Sequence, residues 1–412
     1  MILKLSLLLL LAIPTLVVGD NFQLFEDDDF TSIPGNVIQL TEKEASFTKE
    51  PNTFSFISDV EHVIFEREEG RLIVLADAEE PYYMSGERIL ANTDFELFLY
   101  HFYGKKEAEF LGAKINYRLF MKNMTDEEIQ VEIKGVGTVT GWNHYKAWEG
   151  AFREDGRKTF TMAPYEEYSL WHEKQLKPDL PWSGVILGRT TGDVWVCNYA
   201  YTGEDDPGVE RARPMPDAAL APFYWPSFTR GTANWNAAWI DPFPHARDVV
   251  GNILLSKIED GCYSFNFGYS PGGPLMKPCE YKVQEPTFEA DKLYVLDGVS
   301  QFSHRYFGGH YPVMYKFKLP FFNDVMPGRT KEINFYLGSN DKYTVDSIAG
   351  VWINGKMLHR RVPAVVRGTH WRVWTATLTT KTPQTVEFTV VPLGGRWAGL
   401  TGAVEVKTIP RK

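Results

Sequence analysis

Between Phe95 and Gly137 apolar and polar residues take turns with a period of two, a pattern that an extended strand with one buried face satisfies. In AKINYRLFMKN, Ala113, Ile115, Tyr117, Leu119 and Met121 share one face, while Lys114, Asn116, Arg118 and Lys122 share the other. Asn123 to Glu128 supplies a polar break. Ile129, Val131 and Ile133 then resume the alternation, which predicts an antiparallel return strand. The run before it, FELFLYHFYG, is apolar on nearly both faces, as in a central strand covered on each side.

The design recurs between His304 and Gly338. There a His-containing aromatic run leads into a Tyr-basic-apolar strand, an Asn that opens a turn and a Glu-Ile return. Tyr117 and Tyr315, Asn123 and Asn323, and Ile129 and Ile333 correspond in this alignment. The expected fold class is therefore all-β, with two tandem antiparallel β-sandwich-like domains formed by an internal duplication. A length of 412 residues gives each domain a core of its own. Residues 52–208 form the first domain and 247–412 the second, preceded by an N-terminal arm at 20–51 with an edge strand near Asn36–Leu40. GWNHYKAWEGAFREDG, from Gly141, predicts a short helix lying on the first sandwich. Residues 209–246, rich in Pro and aromatics, form a connector. Val351 to Leu358 reads as a hairpin turning at Asn354-Gly355, and Glu61 to Asp77 as another turning at Glu69-Gly70.

Residues 1–19 join Lys4 to an apolar run from Leu5 to Val18, with small residues before a cleavage point at Asp20. This predicts a secretory signal peptide; its shortness and Pro14 argue against an uncleaved membrane anchor. No cysteine follows the apolar run, so a lipoprotein is not expected, and no later segment is apolar enough to span a bilayer. The expected location is outside the cell or in its envelope. The chain carries 43 basic and 53 acidic residues, and removing the leader takes away one basic residue. Such a balance opposes binding to nucleic acid or, by charge alone, to anionic lipid. Cys262 and Cys279 could close a disulfide worth roughly 3 kcal/mol in the chain-entropy model. The alternative is three buried, reduced thiols.

Several catalytic patterns match by letter and fail by context. Gly268 to Gly272 fits G-x-S-x-G around Ser270, but Pro271, Gly272, Gly273 and Pro274 exclude the helix a nucleophile elbow needs. Gly350 to Lys356 imitates a phosphate loop without its Ser/Thr. The S-x-x-K at Ser46–Lys49 lacks its companion motifs. Asn123-Met-Thr is a glycosylation sequon, read here as the start of a turn. Asp77, Glu79, Glu80 and Asp241 would matter to a glycosidase only as a pair across a cleft. No motif implies a catalytic residue, metal or cofactor. His101 and His310 occupy similar places in the two copies and are read as hydrogen-bonded side chains in aromatic strands or as binding residues.

The aromatic clusters Phe223-Tyr224-Trp225, Trp235, Trp239, Trp371 and Trp374 either fill a core or offer faces to sugar rings. Trp225, Trp235 and Trp239, with His101 and His310, are the candidate binding residues. The expected function is a non-catalytic envelope or extracellular protein that binds polysaccharide or a surface protein at the inter-domain region. A secreted carbohydrate hydrolase using cleft carboxylates, or a purely structural surface protein, are the alternatives.

LADAEEPYYMSGERILANTDFELFLYHFYG, followed by GAKINYRLFMKNMTDEEIQVEIKGVG, resembles a little-characterised group of exported proteins from Gram-positive bacteria. Some of them carry a stalk domain like the N-terminal domain of copper amine oxidases. Arg230-Gly-Thr232 and GGHYPVMYKFKL continue the likeness, although His310 and Pro312 depart from the group's pattern. No separate stalk domain is present, so the resemblance implies export and a two-domain plan, without copper or catalytic residues.

Overall fold

The computed structural model describes residues 22–24, 30–31, 37–39, 45–60, 64–66, 72–141, 143–213, 248–253, 260–268, 286–287, 295–296, 314–321, 327–339, 347–353, 356–362, 370–378, 384–392 and 399–410. The chain opens with four short strands, β1 (Phe22–Leu24), β2 (Phe30–Thr31), β3 (Val37–Gln39) and β4 (Ala45–Lys49). β5 (Thr53–Val60) precedes the small antiparallel ladder of β6 (Ile64–Glu66) and β7 (Leu72–Val74). Then come β8 (Tyr83–Ile89), β9 (Thr93–His101), helix α1 (Lys105–Leu111), β10 (Ile115–Asn123), β11 (Ile129–Thr140) and helix α2 (Tyr145–Phe152). β12 (Lys158–Met162), β13 (Glu167–Leu176), β14 (Trp182–Thr190) and β15 (Val194–Thr202) follow. The rest comprises β16 (Asp248–Ile253), β17 (Gly261–Gly268), β18 (Pro286–Thr287), β19 (Val295–Leu296), β20 (Met314–Phe321) and β21 (Arg329–Ser339). It ends with β22 (Ser347–Ile353), β23 (Lys356–Val362), β24 (His370–Leu378), β25 (Gln384–Pro392) and β26 (Gly399–Pro410).

These strands make an all-β protein of two sandwiches. In the first, a sheet ordered β12-β11-β14-β9-β5 faces one ordered β13-β10-β15-β8. Between them lie Phe95, Leu97 and Leu99 of β9, Val131 and Ile133 of β11, and Ile115, Tyr117, Leu119 and Met121 of β10. The apolar set defined by the alternation is thus the buried set. β9 is central and covered on both sides, with Phe98 turned outward under α2.

One expectation is corrected. β10 and β11 are not a hairpin: β10 pairs with β13 and β15, whereas β11 pairs with β12 and β14 in the opposite sheet. A period of two fixes which face a strand buries, and both arrangements satisfy it equally. Asn123 decides between them. Its buried amide donates to the carbonyls of Glu127 at 2.8 Å and Ala163 at 2.9 Å, and its oxygen accepts the Thr125 N–H at 2.9 Å. The side chain pins the arch that carries the chain across the core, and burial closes this sequon Asn to glycosylation in the folded state.

In the second sandwich a seven-stranded sheet, ordered β1-β24-β21-β26-β17-β3 with β2 also on β24, faces a six-stranded sheet ordered β23-β22-β25-β20-β16-β4. Phe265, Phe335 and Trp374 from the first of these meet Phe317 and Phe388 from the second, with Phe335 and Phe388 centroids 4.3 Å apart. Trp374, a candidate surface aromatic, is therefore a core residue. The hairpin β22–β23 has the expected register, Val351 opposite Leu358, with Asn354-Gly355 outside the described residues. The described strands of the N-terminal arm belong to the second sandwich. β1 and β2 pair with β24, β3 runs parallel to β17, and β4 pairs with β16. Strands of two to five residues leave too short a pattern to read.

The two sandwiches share a strand plan. The path β5-β9-β14-β11-β12 has the same chain order and directions as β3-β17-β26-β21-β24, including the parallel first pair. β10 beside β13 matches β20 beside β25. The plans diverge where β15 lies antiparallel to β10, because β16 lies parallel to β20 in the corresponding place. Helix α2 forms where a helix is expected and lies between the sandwiches. Ala147, Trp148, Ala151 and Phe152 pack with Phe98 and Val185 on one side and with Met314 and Val391 on the other. Helix α1 connects β9 to β10. Glu107 accepts the Gly104 N–H at its start, and Gly112, at φ 58°, ends it.

Candidate functional site

The outer face of the four-stranded sheet carries a row of polar side chains that spans three strands. Register places Arg118 of β10 opposite His172 of β13 on one side and Tyr199 of β15 on the other. After β15 the turn at Gly203–Gly208 brings Asp206 back over the sheet; both glycines have positive φ, 98° and 85°. The Asp206 carboxylate accepts from the Tyr199 hydroxyl at 2.5 Å and the Gly208 N–H at 3.1 Å, and Arg118 Nε lies 3.3 Å from its other oxygen. Arg118 Nη1 is 2.9 Å from His172 Nδ1, and His172 Nε2 is 2.7 Å from the Tyr201 hydroxyl.

Hydrogen-bond chemistry orders this chain. Arginine only donates, so His172 Nδ1 must accept, and the proton of the neutral ring sits on Nε2. That N–H donates to the Tyr201 oxygen, which leaves the Tyr201 hydroxyl hydrogen to donate elsewhere. The Arg118 and Asp206 side chains are 25% and 23% exposed, so the row meets solvent at its middle, whereas Tyr199 and Tyr201 at its ends are buried with Phe120, Val209 and Ala212. Trp195 and Phe120 flank it, edge to face at 5.9 Å, and the absent side chain of Gly86 makes room for the indole.

The same surroundings set the ionisation. Burial raises Tyr201 to about 12, and burial together with the Asp206 hydrogen bond raises Tyr199 above the usual phenol range. Both phenols stay protonated. His172 is held below 6.5, first by burial, then by the charges of Arg118 and Lys174, with Asp206 opposing. The unfolded chain binds this proton near pH 6.5 and the folded chain only at lower pH. His172 therefore contributes stability that is complete above 6.5 and lost as pH falls through the folded value. Wild-type protein is expected to lose melting temperature on acidification below 6.5 by more than His172→Asn does. An imidazole that titrates at or above 6.5 by NMR would contradict this.

Three groups that could carry chemistry, Cys197, Asp206 and Asp77, are each buried or already hydrogen-bonded. Cys197 is buried, with its thiol raised well above its usual range by burial. Asp206 is committed to three donors. Asp77, a candidate for a carboxylate pair, accepts the N–H groups of Glu79 and Glu80 at 2.8 and 2.9 Å, which holds it below the usual range as the cap of its own turn. Among the described residues no group of three or more His, Cys, Asp and Glu side chains is placed to share a metal ion.

His101 lies inside the first sandwich, 1% exposed, with its ring 4.4 Å from Tyr117 and parallel to it within 9°. Its Nε2 is 3.1 Å from the Asn198 amide of the facing sheet, so it bridges the core rather than meeting a ligand. His310, Trp225, Trp235 and Trp239 lie outside the described residues, as do Ser270, Asp241 and Cys279. Cys262 carries a free, buried thiol, raised to about 12 by burial and Glu405. Sequence inspection missed Arg118, His172, Tyr199, Tyr201 and Asp206 as a group. The signal available was Arg118 on the polar side of β10 and two tyrosines in alternation in VWVCNYAYT, and only the register brings them together.

No family model matches the chain, and no curated protein matches it. Among solved structures, it is similar to the PBSX exported protein XepA at 9% identity and a TM-score of 0.15, over 84% of this chain and 94% of that one. The tandem CBM22-1–CBM22-2 domain of Paenibacillus barcinonensis Xyn10C aligns at 8% identity and 0.14, over 72% and 78%. A mutant of Bacillus subtilis oxalate decarboxylase OxdC aligns at 8% and 0.12, over 81% and 80%. Similarity at this level assigns neither a family nor an activity. Among the described residues no helix is long and apolar enough to cross a membrane.

Proposed function

We propose that this is an exported, non-catalytic extracellular or envelope protein that binds a neutral glycan on the outer face of its four-stranded sheet. The observation that carries this is the fixed row Tyr201–His172–Arg118–Asp206–Tyr199 beside Trp195. It sets donors and acceptors at strand spacing next to an aromatic edge, the combination that grips sugar hydroxyls and ring faces. Arg118 and Asp206 neutralise each other, so the surface favours an uncharged ligand over an anionic one. We also take the two sandwiches as tandem copies, the first over 52–208 and the second over 247–412 completed by strands from 22–49.

The test is a glycan array followed by calorimetry on the mature chain. Arg118→Ala is expected to weaken the best glycan by about tenfold or more, since a hydrogen bond to a charged group contributes about 1.5–3 kcal/mol. Tyr201→Phe, which removes the acceptor of the His172 N–H from a ring that is itself buried, should weaken it less. A wild-type protein that retains no polysaccharide sinks the function. Unchanged affinity in Arg118→Ala moves the site away from this face, with Trp235 and Trp239 as the next positions to substitute.

A further inference from the structure

One end of the first sandwich gathers four of its connections: 90–92 between β8 and β9, 124–128 between β10 and β11, 163–166 between β12 and β13, and 191–193 between β14 and β15. Two residues tie them side by side. The Asp193 carboxylate accepts the Ala91 N–H at 2.7 Å, and its carbonyl accepts the Met124 N–H at 2.9 Å. The Asn123 N–H donates to the Glu166 carbonyl at 2.9 Å, and its amide holds Ala163. Three of these adjoining loops each put a large apolar side chain into water: Leu90 is 61%, Met124 41% and Tyr165 60% exposed. Tyr165 does so from a left-handed backbone, φ 59°, where Asn would sit with less strain.

Charge around these three side chains is one-sided. Arg88, Lys122 and Arg189, the cations of these strand ends, are paired with Asp193, Glu167 and Asp94. Asp126, Glu127, Glu128 and Glu166 remain as an acidic surplus on the same loops. An apolar centre inside an acidic margin is complementary to an apolar recess rimmed by Lys and Arg, and it repels anionic lipid. We infer that this loop end is a docking surface for a protein partner with a basic rim around an apolar recess, separate from the row on the sheet face.

The full mature chain can be tested against two immobilised peptides, one alternating Lys with Leu and one alternating Glu with Leu, and against zwitterionic and anionic phospholipid vesicles. The wild type should retain the Lys/Leu peptide and not the Glu/Leu peptide, with retention falling as salt rises. Changing Leu90, Met124 and Tyr165 together to Ser should weaken retention by about tenfold. Phe110→Ser with Leu180→Ser, exposed apolar positions at the opposite end, should leave it unchanged. Tyr165→Asn, which suits the left-handed turn, should weaken it without lowering the melting temperature. Retention by the triple variant equal to wild type, or retention of both peptides alike, overturns the inference. Vesicle binding that the triple variant loses also overturns it and makes a membrane the partner.

Discussion

A chain lacking residues 20–50 is expected to keep the first sandwich folded and to lose the second. The removed segment supplies β1, β2 and β3 to the seven-stranded sheet and β4 to the six-stranded one. β4 pairs along its whole length, from Ala45 opposite Ile253 to Lys49 opposite Val249, and Glu50 meets Lys316 at 2.8 Å. Its loss bares β16, β17 and β24 together, and their N–H and C=O groups lose their partners. At about 1 kcal/mol net for each ladder bond, such a loss rivals the 5–15 kcal/mol that holds a typical domain. β5 begins at Thr53, so every strand of the first sandwich survives the truncation. Hydrogen exchange reports both halves: protection should vanish in β21 and β26 and persist in β10 and β14. Adding residues 20–50 as a separate peptide should restore it. A truncated chain that keeps slow exchange at Phe335 and Val404 refutes the dependence.

That dependence shows where sequence inspection loses its hold. Ile115, Tyr117, Leu119 and Met121 were legible as a buried face because four alternations in a row leave little else, and β9 was legible as central because both its faces are apolar. The partner of each strand was not legible. β10 and β11 look like the arms of a hairpin, and only the amide of Asn123, reaching Ala163 forty residues away, shows that they belong to opposite sheets. β1 to β4 are too short to display a period, and their partners lie beyond Asp248. The candidate site has the same character. Arg118, His172 and Tyr201 come together through register, and nothing in their spacing along the chain announces it. His101 drew notice for its place in an aromatic strand, and that place is why it is buried.

Gly137→Ala should be the most damaging single substitution of one methyl group in the first sandwich. A β-carbon at Gly137 would lie 1.8 Å from the Ala147 carbonyl oxygen and 2.9 Å from the Ala151 nitrogen, inside the backbone of α2. Gly135 stands 2.0 Å from the Ala151 oxygen by the same construction. Two glycines on one face of β11 therefore let the helix backbone rest directly on the strand. That close approach brings Trp148 over Phe98 and carries Ala147 and Ala151 into the cluster with Met314 and Val391. The obstruction is backbone, so no side-chain rotamer relieves it, and the helix must lift by more than an ordinary repacking allows. A cost of about 3 kcal/mol or more is expected, at the upper end for an overpacked site, because the helix also loses its contact with the second sandwich. Chemical unfolding of Gly137→Ala measures it. Combining it with Ala147→Gly distinguishes this cause from side-chain crowding, because deleting the Ala147 methyl leaves its carbonyl in place and should recover nothing. Stability within about 0.5 kcal/mol of wild type, the range of a neutral surface change, would mean that α2 does not rest on β11 in solution.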